Sequence, residues 1–283
     1  MSPEDELDRL AVRSGTVLSV WAGAPAGTAW LTRRPDAVHH AASTLKLALV
    51  IAAHRLAVTG RLRLDASVIV QPVFASAAGG APYEVTADYD NDDQVWRRLG
   101  EPVPVWWLME RAVVRSSNLA TNLLLEQVGT SAVDEVYDAV GAVRSRLRRG
   151  IQDIRAAERG IANTATAADL AAVLCGLLTG RLLEPAAADA VESLLAASEW
   201  NDGIPAGLPA GTYAAHKVGW TDECCHDVGV VRPAHDDPFV LSICTSTRTG
   251  NGTGRTEAEA HAVVAEAAGI AWRHRPRRRT LDP

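Results

Sequence analysis

"HHAASTLKLALVIAAHRLAVTG", residues His39 to Gly60, is the stretch on which the reading of this chain turns. From Leu45 onward it is Leu, Ala, Val and Ile, interrupted by Lys46, His54 and Arg55. Such a run reads as a helix from about Ser43 to Val58, buried on nearly every side, with Thr59-Gly60 as its stop. A lysine at the mouth of a buried helix needs a reason, because an unpaired charge is costly away from water. Either its tip reaches solvent along the methylene stem, or its charge state belongs to a mechanism.

Around this helix the period of apolar residues changes twice. "EDELDRL" behind Ser2-Pro3 is a capped helix start with acids in its first turn. "TVLSVWAG" and "GTAWLTRR" are β-rich runs joined by "APAG", a hairpin signal. Residues 71–101 are the least regular part, with Gly79-Gly80 and the acidic "DYDNDD", and predict an excursion over the surface. Its Asp88, Asp90, Asp92 and Asp93 read as a solvated acidic loop in preference to a metal site. A helical block follows from Pro104 to about Leu195, broken at "SSN", Gly129 and Gly141. After "NDGIPAGLPAG" three strand-like runs appear, "TYAAHKVGW", "HDVGVVRP" and "PFVLSICTS", and "TEAEAHAVVAEAAGIAWRH" closes the order as a helix. The predicted class is α/β of the α+β kind. An antiparallel sheet of about five strands comes from both chain ends, with flanking helices and an all-helical lobe inserted from the middle. One domain spans 1–283: a sheet lobe of about 1–42 and 205–272, a helical lobe of about 43–204, and a basic tail over 273–283.

Composition bounds the function. The 283 residues are 47% hydrophobic and 22% charged, enough for a sizeable core, and the net charge of −6 argues against nucleic acid. The tail "RHRPRRR", Arg273 to Arg279, is the exception and reads as a silent, frayed end. No apolar run reaches membrane-spanning length free of charges. Cys175, Cys224, Cys225 and Cys244 have no metal-like spacing, and the vicinal pair is poorly placed to bridge to itself. Reduced thiols and an acidic opening without a basic, apolar leader lead to the expectation of a cytoplasmic protein. No metal or cofactor is expected.

The chemistry gathers at three places. Positions i and i+3 share a helix face, so Ser43 Oγ and Lys46 Nζ can meet at a helix start that favours negative charge. A serine attacks an acyl carbon only when something accepts its proton, and a lysine serves if burial and a nearby cation depress its pKa. "VVRSSNLATNLLLEQVG" sets Ser116, Ser117 and Asn118 at a break between helices, where a helix cap is the plain alternative. "AAHKVGW" sets Lys217, Val218 and Gly219 on a strand, where a cation can bind a substrate carboxylate and glycine permits close approach.

Together and in this order, "STLK", "SSN" and "HKVG" resemble the three motifs of the penicillin-recognising serine hydrolases, and specifically of class A β-lactamases. The resemblance runs from about Leu18 to Trp272. It implies a Ser43 acyl-enzyme acting on a small-molecule amide, ester or lactam, with Lys46 as base or proton relay. It implies further that Ser116 passes a proton to the leaving group, Asn118 binds a substrate amide and Lys217 anchors a carboxylate. The oxyanion hole would come from the backbone N–H groups of Ser43 and Trp220. Three departures stand out: Ser117 where an Asp is usual, Val218 where a Thr is usual, and no Glu-x-x-x-Asn in "RRGIQDIRAAERGIANTATAADL". Asp153 is the leading candidate for the deacylating acid there, with Glu158 second and Asn163 nearby. The alternatives are an intracellular esterase, peptidase or transacylase, or a penicillin-binding sensor that acylates without turnover. His216, His39, His40, His226 and Asp227 read as structural, and Trp96, Trp106 and Trp107 as core in preference to a cleft wall.

Overall fold

The computed structural model describes residues 1–247 and 256–277, so the last part of the basic tail, 278–283, lies outside the described residues. Helix α1 (Pro3–Ser14) starts on a reciprocal cap: Asp5 N donates to Ser2 Oγ (3.1 Å) and Ser2 N to the Asp5 carboxylate (3.2 Å). It stops at Gly15, whose φ of 63° suits a residue without Cβ. Strands β1 (Thr16–Gly23) and β2 (Ala29–Arg33) form the first hairpin. Strands β3 (Tyr213–Thr221), β4 (Cys224–Arg232) and β5 (Phe239–Thr247) form the C-terminal meander. They join in one antiparallel sheet of order β2-β1-β5-β4-β3, so the two chain ends meet where β1 pairs with β5.

Alternation along each strand feeds two cores. Leu18, Val20, Leu241 and Ile243 face a core shared with α1 and with α8 (Glu257–His274). Val228, Val230, Val240 and Cys244 face the larger core that holds α2 (Leu45–Val58). Both sheet faces are therefore dry, which explains why β4 and β5 read as nearly unbroken apolar runs.

The middle of the chain supplies α3 (Val105–Val114), α4 (Asn118–Val128), α5 (Thr130–Ala139), α6 (Ala167–Leu178) and α7 (Pro185–Ala196). Helix α6 packs against β1, β4 and β5, so this sheet-facing layer is built from the middle of the sequence. Helix α2 is buried from Leu45 to Ala53, packs against α3, α4, α5 and α7, and is the axis of the larger core. The helix breaks fall at Gly129 and Gly141, both at positive φ.

Two segments differ from their sequence reading. The 71–101 excursion carries buried Phe74, Val85 and Val95, one of its acids, Asp92, is buried, and a second, Asp90, is half-buried and bound to backbone. Asp92 pairs with Arg111 beneath the surface, and Asp90 caps α4 from outside that helix, accepting from Asn118 N (3.2 Å) and Leu119 N (2.7 Å). A carboxylate aimed at unsatisfied helix N–H groups gains charge-assisted bonds that a solvated loop would lack. The described part of the tail is also tied down: Arg273 and His274 both reach Glu6 (2.6 and 2.8 Å), and Arg275 reaches Asp236 (2.6 Å).

Candidate active site

Ser43 sits in a turn of 3-10 helix, Ala42–Thr44, that runs directly into α2. Ala42 before it has φ 45°, a left-handed conformation uncommon for alanine and typical of strained functional turns. One helical turn further in, Lys46 is 0% exposed. Its Nζ donates to the Ser116 carbonyl (2.7 Å), to Ser116 Oγ (3.2 Å) and to Asn118 Oδ1 (3.0 Å). Burial holds its pKa well below the ordinary lysine value, the nearby Lys217 charge lowers it further, and Asp90 pulls partly the other way. A neutral amine can make two of those three donor bonds, which leaves a lone pair able to take a proton.

Ser116 is fully buried at φ 59° in the break between α3 and α4. Its Oγ accepts from Lys46 Nζ and also from Lys217 Nζ (3.1 Å). With both lysines donating to the oxygen, the hydroxyl hydrogen is left to point elsewhere. Ser117 caps α4 through Ala120 N (3.1 Å), so the cap reading holds for this serine while its neighbour faces the lysines. Asn118 is held on both sides, its Oδ1 by Lys46 and its Nδ2 by the Tyr89 carbonyl.

Strand β3 brings the third group. Lys217 is 0% exposed and its Nζ also donates to the Val218 carbonyl (2.8 Å). Burial lowers its pKa to about 7, with Asp227 acting in the opposite sense. Gly219 lies against the nucleophile turn: a Cβ built there would stand 2.6 Å from Ser43 N and 2.8 Å from Thr44 N. Trp220 follows, its ring edge-on to His261 (5.5 Å between centroids) and tilted against Trp200 (5.1 Å). Asp227 accepts from the His216 ring (2.9 Å) and from Ile204 N (2.7 Å), a buried brace behind the strand. His39 spans Ser19 (2.8 Å) and Ser246 (2.9 Å), and burial depresses its pKa to about 3, which keeps it neutral.

A cavity of about 440 Å³ opens over Ser43, bounded by Tyr89 and Asn118 on one side and Trp220 on another. The 149–154 loop adds Arg149, Ile151, Gln152 and Ile154 to the wall, and the β3–β4 turn, the end of β5 and the start of α8 add Asp222, Ser246 and Glu257. Gln152, at φ 64°, clips this loop to the 83–92 segment by accepting from Thr86 N (2.9 Å). Asp153 does not line the cavity: it is 0% exposed, and its oxygens accept from Ser76 Oγ (2.8 Å), Ala77 N (2.8 Å) and Ala156 N (3.2 Å). Its place corresponds to a cap and loop clamp, with no free oxygen turned to Ser43. Glu158 is exposed and also absent from the lining. Asn163 accepts from Arg148 N (2.8 Å) and Arg149 N (3.1 Å) and so holds the base of the loop. At Gly150 a Cβ would stand 2.0 Å from the Tyr83 hydroxyl, so the loop opposite Asn122 is closed to a side chain. Trp106 is 51% exposed, while Trp96 and Trp107 pack against the larger core; none lines the cavity. Among the described residues no group of three or more His, Cys, Asp or Glu side chains could hold a metal ion.

No curated protein matches the chain. Solved structures do. An ancestral class A β-lactamase, described as that of the last common ancestor of Gram-negative bacteria, is 26% identical, superposes with a TM-score of 0.80, and covers 96% of this chain and 99% of its own. β-Lactamases from Sphaerobacter thermophilus (21% identity, TM-score 0.80, 96% of this chain and 97% of that one) and Xanthomonas campestris (20%, 0.80, 95% and 96%) share the fold. Residues 2–274 match the beta-lactamase enzyme family, and with the fold and the Ser43–Lys46 helix already in place, the chain belongs to that family as a serine hydrolase of the class A β-lactamase-like kind.

Proposed function

We propose that Ser43 forms an acyl-enzyme with a small-molecule amide, ester or lactam. Neutral Lys46 takes the Ser43 proton as the hydroxyl oxygen bonds to the acyl carbon. The resulting oxyanion is held by the backbone N–H groups of Ser43 and Trp220 at the mouth of α2, where the helix dipole adds to them. Ser116 hands a proton to the departing nitrogen or oxygen and is recharged from Lys46 or Lys217. Asn118 hydrogen-bonds the acyl side, and Gly219 lets β3 lie close to the reacting carbonyl. The observation that carries this reading is Ser116 Oγ within hydrogen-bond distance of both lysines, 3.2 Å from Lys46 and 3.1 Å from Lys217.

A second feature favours slow release of the acyl group. The 149–154 loop contributes an arginine, two isoleucines and a glutamine to the cavity and no carboxylate. Water then attacks the ester without a loop-borne base, and the acyl-enzyme persists.

Incubation with a fluorescent penicillin and with a fluorophosphonate, followed by intact mass, tests both statements. A mass shift on Ser43 that outlives the free probe is the expected result. An adduct that survives Ser43→Ala, or none with either probe, refutes the acyl-enzyme, whereas rapid loss of the adduct refutes slow release alone.

A further inference from the structure

Helix α4 makes its first internal bond from Thr121 N to the Ser117 carbonyl (3.3 Å), so the N–H groups of Asn118, Leu119 and Ala120 have no helical partner. Ser117 Oγ accepts from Ala120 N (3.1 Å). Asp90 takes the other two, from Asn118 N (3.2 Å) and Leu119 N (2.7 Å), and the Ser117 hydroxyl donates to its Oδ2 (3.3 Å). One cap is thus assembled from two parts of the chain, and its carboxylate comes from outside the Ser116-Ser117-Asn118 turn. Ser117 stands in that turn where the motif it resembles has an Asp.

The 83–92 segment is anchored so that this carboxylate is aimed. Asp90 Oδ1 also accepts from Asn91 N (2.7 Å) and Asp92 N (3.1 Å), a turn closed on its own side chain. Asp92 pairs with Arg111 of α3, and Arg115 donates to the Asn91 carbonyl (3.3 Å). The Tyr89 carbonyl accepts from Asn118 Nδ2. Asn118 is therefore fixed at its backbone by Asp90 and at its amide by Tyr89, and in that pose its Oδ1 meets Lys46 Nζ at 3.0 Å. Ser116 and Asn118 face Lys46 from the α3–α4 break, Lys217 from β3, and Asp90 is the acid whose charge reaches it. That charge favours the protonated amine, while burial and Lys217 oppose it.

We propose that Asp90 is a positioning residue of the acylation site, supplying from the 83–92 segment the carboxylate that the Ser116-Ser117-Asn118 turn lacks and so holding Asn118 against Lys46. Its bearing on acylation rests on the reading of Ser43 as the acylated residue. An acid at position 117 would aim at the same helix start from the cap position. The two places are therefore interchangeable but exclude each other, because carboxylates at both would repel at hydrogen-bond distance.

The test compares Asp90→Asn, Ser117→Asp and the double variant with the parent chain by denaturant unfolding, by fluorophosphonate labelling against time, and by titration of the lysine side chains. Lys46 and Lys217 are the only lysines in the sequence, so isotope-labelled lysine gives two side-chain signals, both from the site. Asp90→Asn is expected to slow acylation by roughly 10- to 100-fold, the scale of a small misplacement in a catalytic site, and to move the Lys46 titration to lower pH. Ser117→Asp alone is expected to be slower and less stable than the parent. The double variant should regain acylation to within a few-fold and bring the Lys46 titration back toward the parental one. If Asp90→Asn does not fold, the double variant decides alone, and its folding and acylating support the exchange. Parental acylation in folded Asp90→Asn, losses that simply add in the double variant, or a double variant that does not fold overturn the proposal. So does a Lys46 titration that stays in place while stability falls, the signature of a cap with a structural role only. If the parent chain forms no adduct, the reading of Ser43 fails. The lysine titration and the unfolding comparison use no acyl substrate and then decide the placement of Asp90 by themselves.

Discussion

Gly219 and Ser43 touch backbone to backbone, so closely that a Cβ on Gly219 would stand 2.6 Å from the Ser43 amide nitrogen. Real Cβ atoms do not approach that near, and the obstacle is main chain at the start of a buried helix, which cannot step aside. Gly219→Ala is therefore expected to push β3 off the nucleophile turn. Acylation by a fluorophosphonate should slow by roughly 100-fold or more, because a displacement of even an ångström ruins an oxyanion hole. Full labelling rates in a folded Gly219→Ala protein would show that β3 takes no part in positioning the reacting carbonyl.

Lys46 is surrounded by acceptors, yet burial and Lys217 both work against its charge. Removing it leaves Ser43 without a proton acceptor one turn away. Lys46→Ala is expected to lose acylation by roughly 100- to 10,000-fold while far-ultraviolet circular dichroism stays that of the parent chain. Intact mass against time measures this, and a variant acylated at the parental rate would rule Lys46 out as the base.

The parts that gather around Ser116 were legible in sequence because each is local: an i, i+3 pair on an apolar helix, a break at Ser116-Ser117, and a lysine-glycine strand. The make-up of the sheet was legible for a similar reason, since β-period runs at both chain ends had to pair across a helical middle, while its strand order came only with the folded chain. What was not legible depends on contacts across long stretches of chain. Asp90 caps a helix that starts at Asn118, and no neighbouring residue announces it. Asp153 carries two signals at once, a loop acid and an N-cap. Only the folded chain shows Ser76 and Ala77 occupying its oxygens.

Stability is expected to rise with pH just above neutrality. Lys217 has a folded-state pKa of about 7 against an ordinary 10.5, and Lys46 is lowered in the same direction. Between those values the unfolded chain binds protons that the folded chain does not, so the unfolding free energy increases with pH. The gain is complete only above the unfolded value and is lost as pH falls through the folded one. Its slope is at most about 1.4 kcal/mol per pH unit for each lysine. Denaturant unfolding at pH 7 and pH 8 measures it, below the range where buried cysteines oppose the trend. Lys217→Met should reduce the slope, and an identical slope in the variant would remove Lys217 as its source.

Asp153 has three donors on its carboxylate and none of its surface exposed. Asp153→Asn turns one acceptor oxygen into a donor among those groups, at an expected cost of about 1–3 kcal/mol in denaturant unfolding. Decay of the Ser43 adduct should be unchanged in the same protein. Parental stability combined with slowed decay would restore Asp153 as the water-activating base.

Gly150 and Tyr83 are expected to be coupled through space alone. Gly150 has no positive φ, so its need for glycine comes from the Tyr83 hydroxyl, 2.0 Å from where a Cβ would stand. Gly150→Ala should cost about 1–3 kcal/mol, the usual range for forcing an extra methyl into packed surroundings. Tyr83→Phe removes the offending oxygen and leaves the ring carbon that bore it, 3.3 Å from the same point and within what small shifts absorb. In that background Gly150→Ala should cost less than about half as much, and the difference is the coupling energy of a double-mutant cycle. The cycle is read by denaturant unfolding of the four proteins. Additive costs would mean that the loop moves away from Tyr83 freely, which would also leave room for a side chain at this point of the cavity wall.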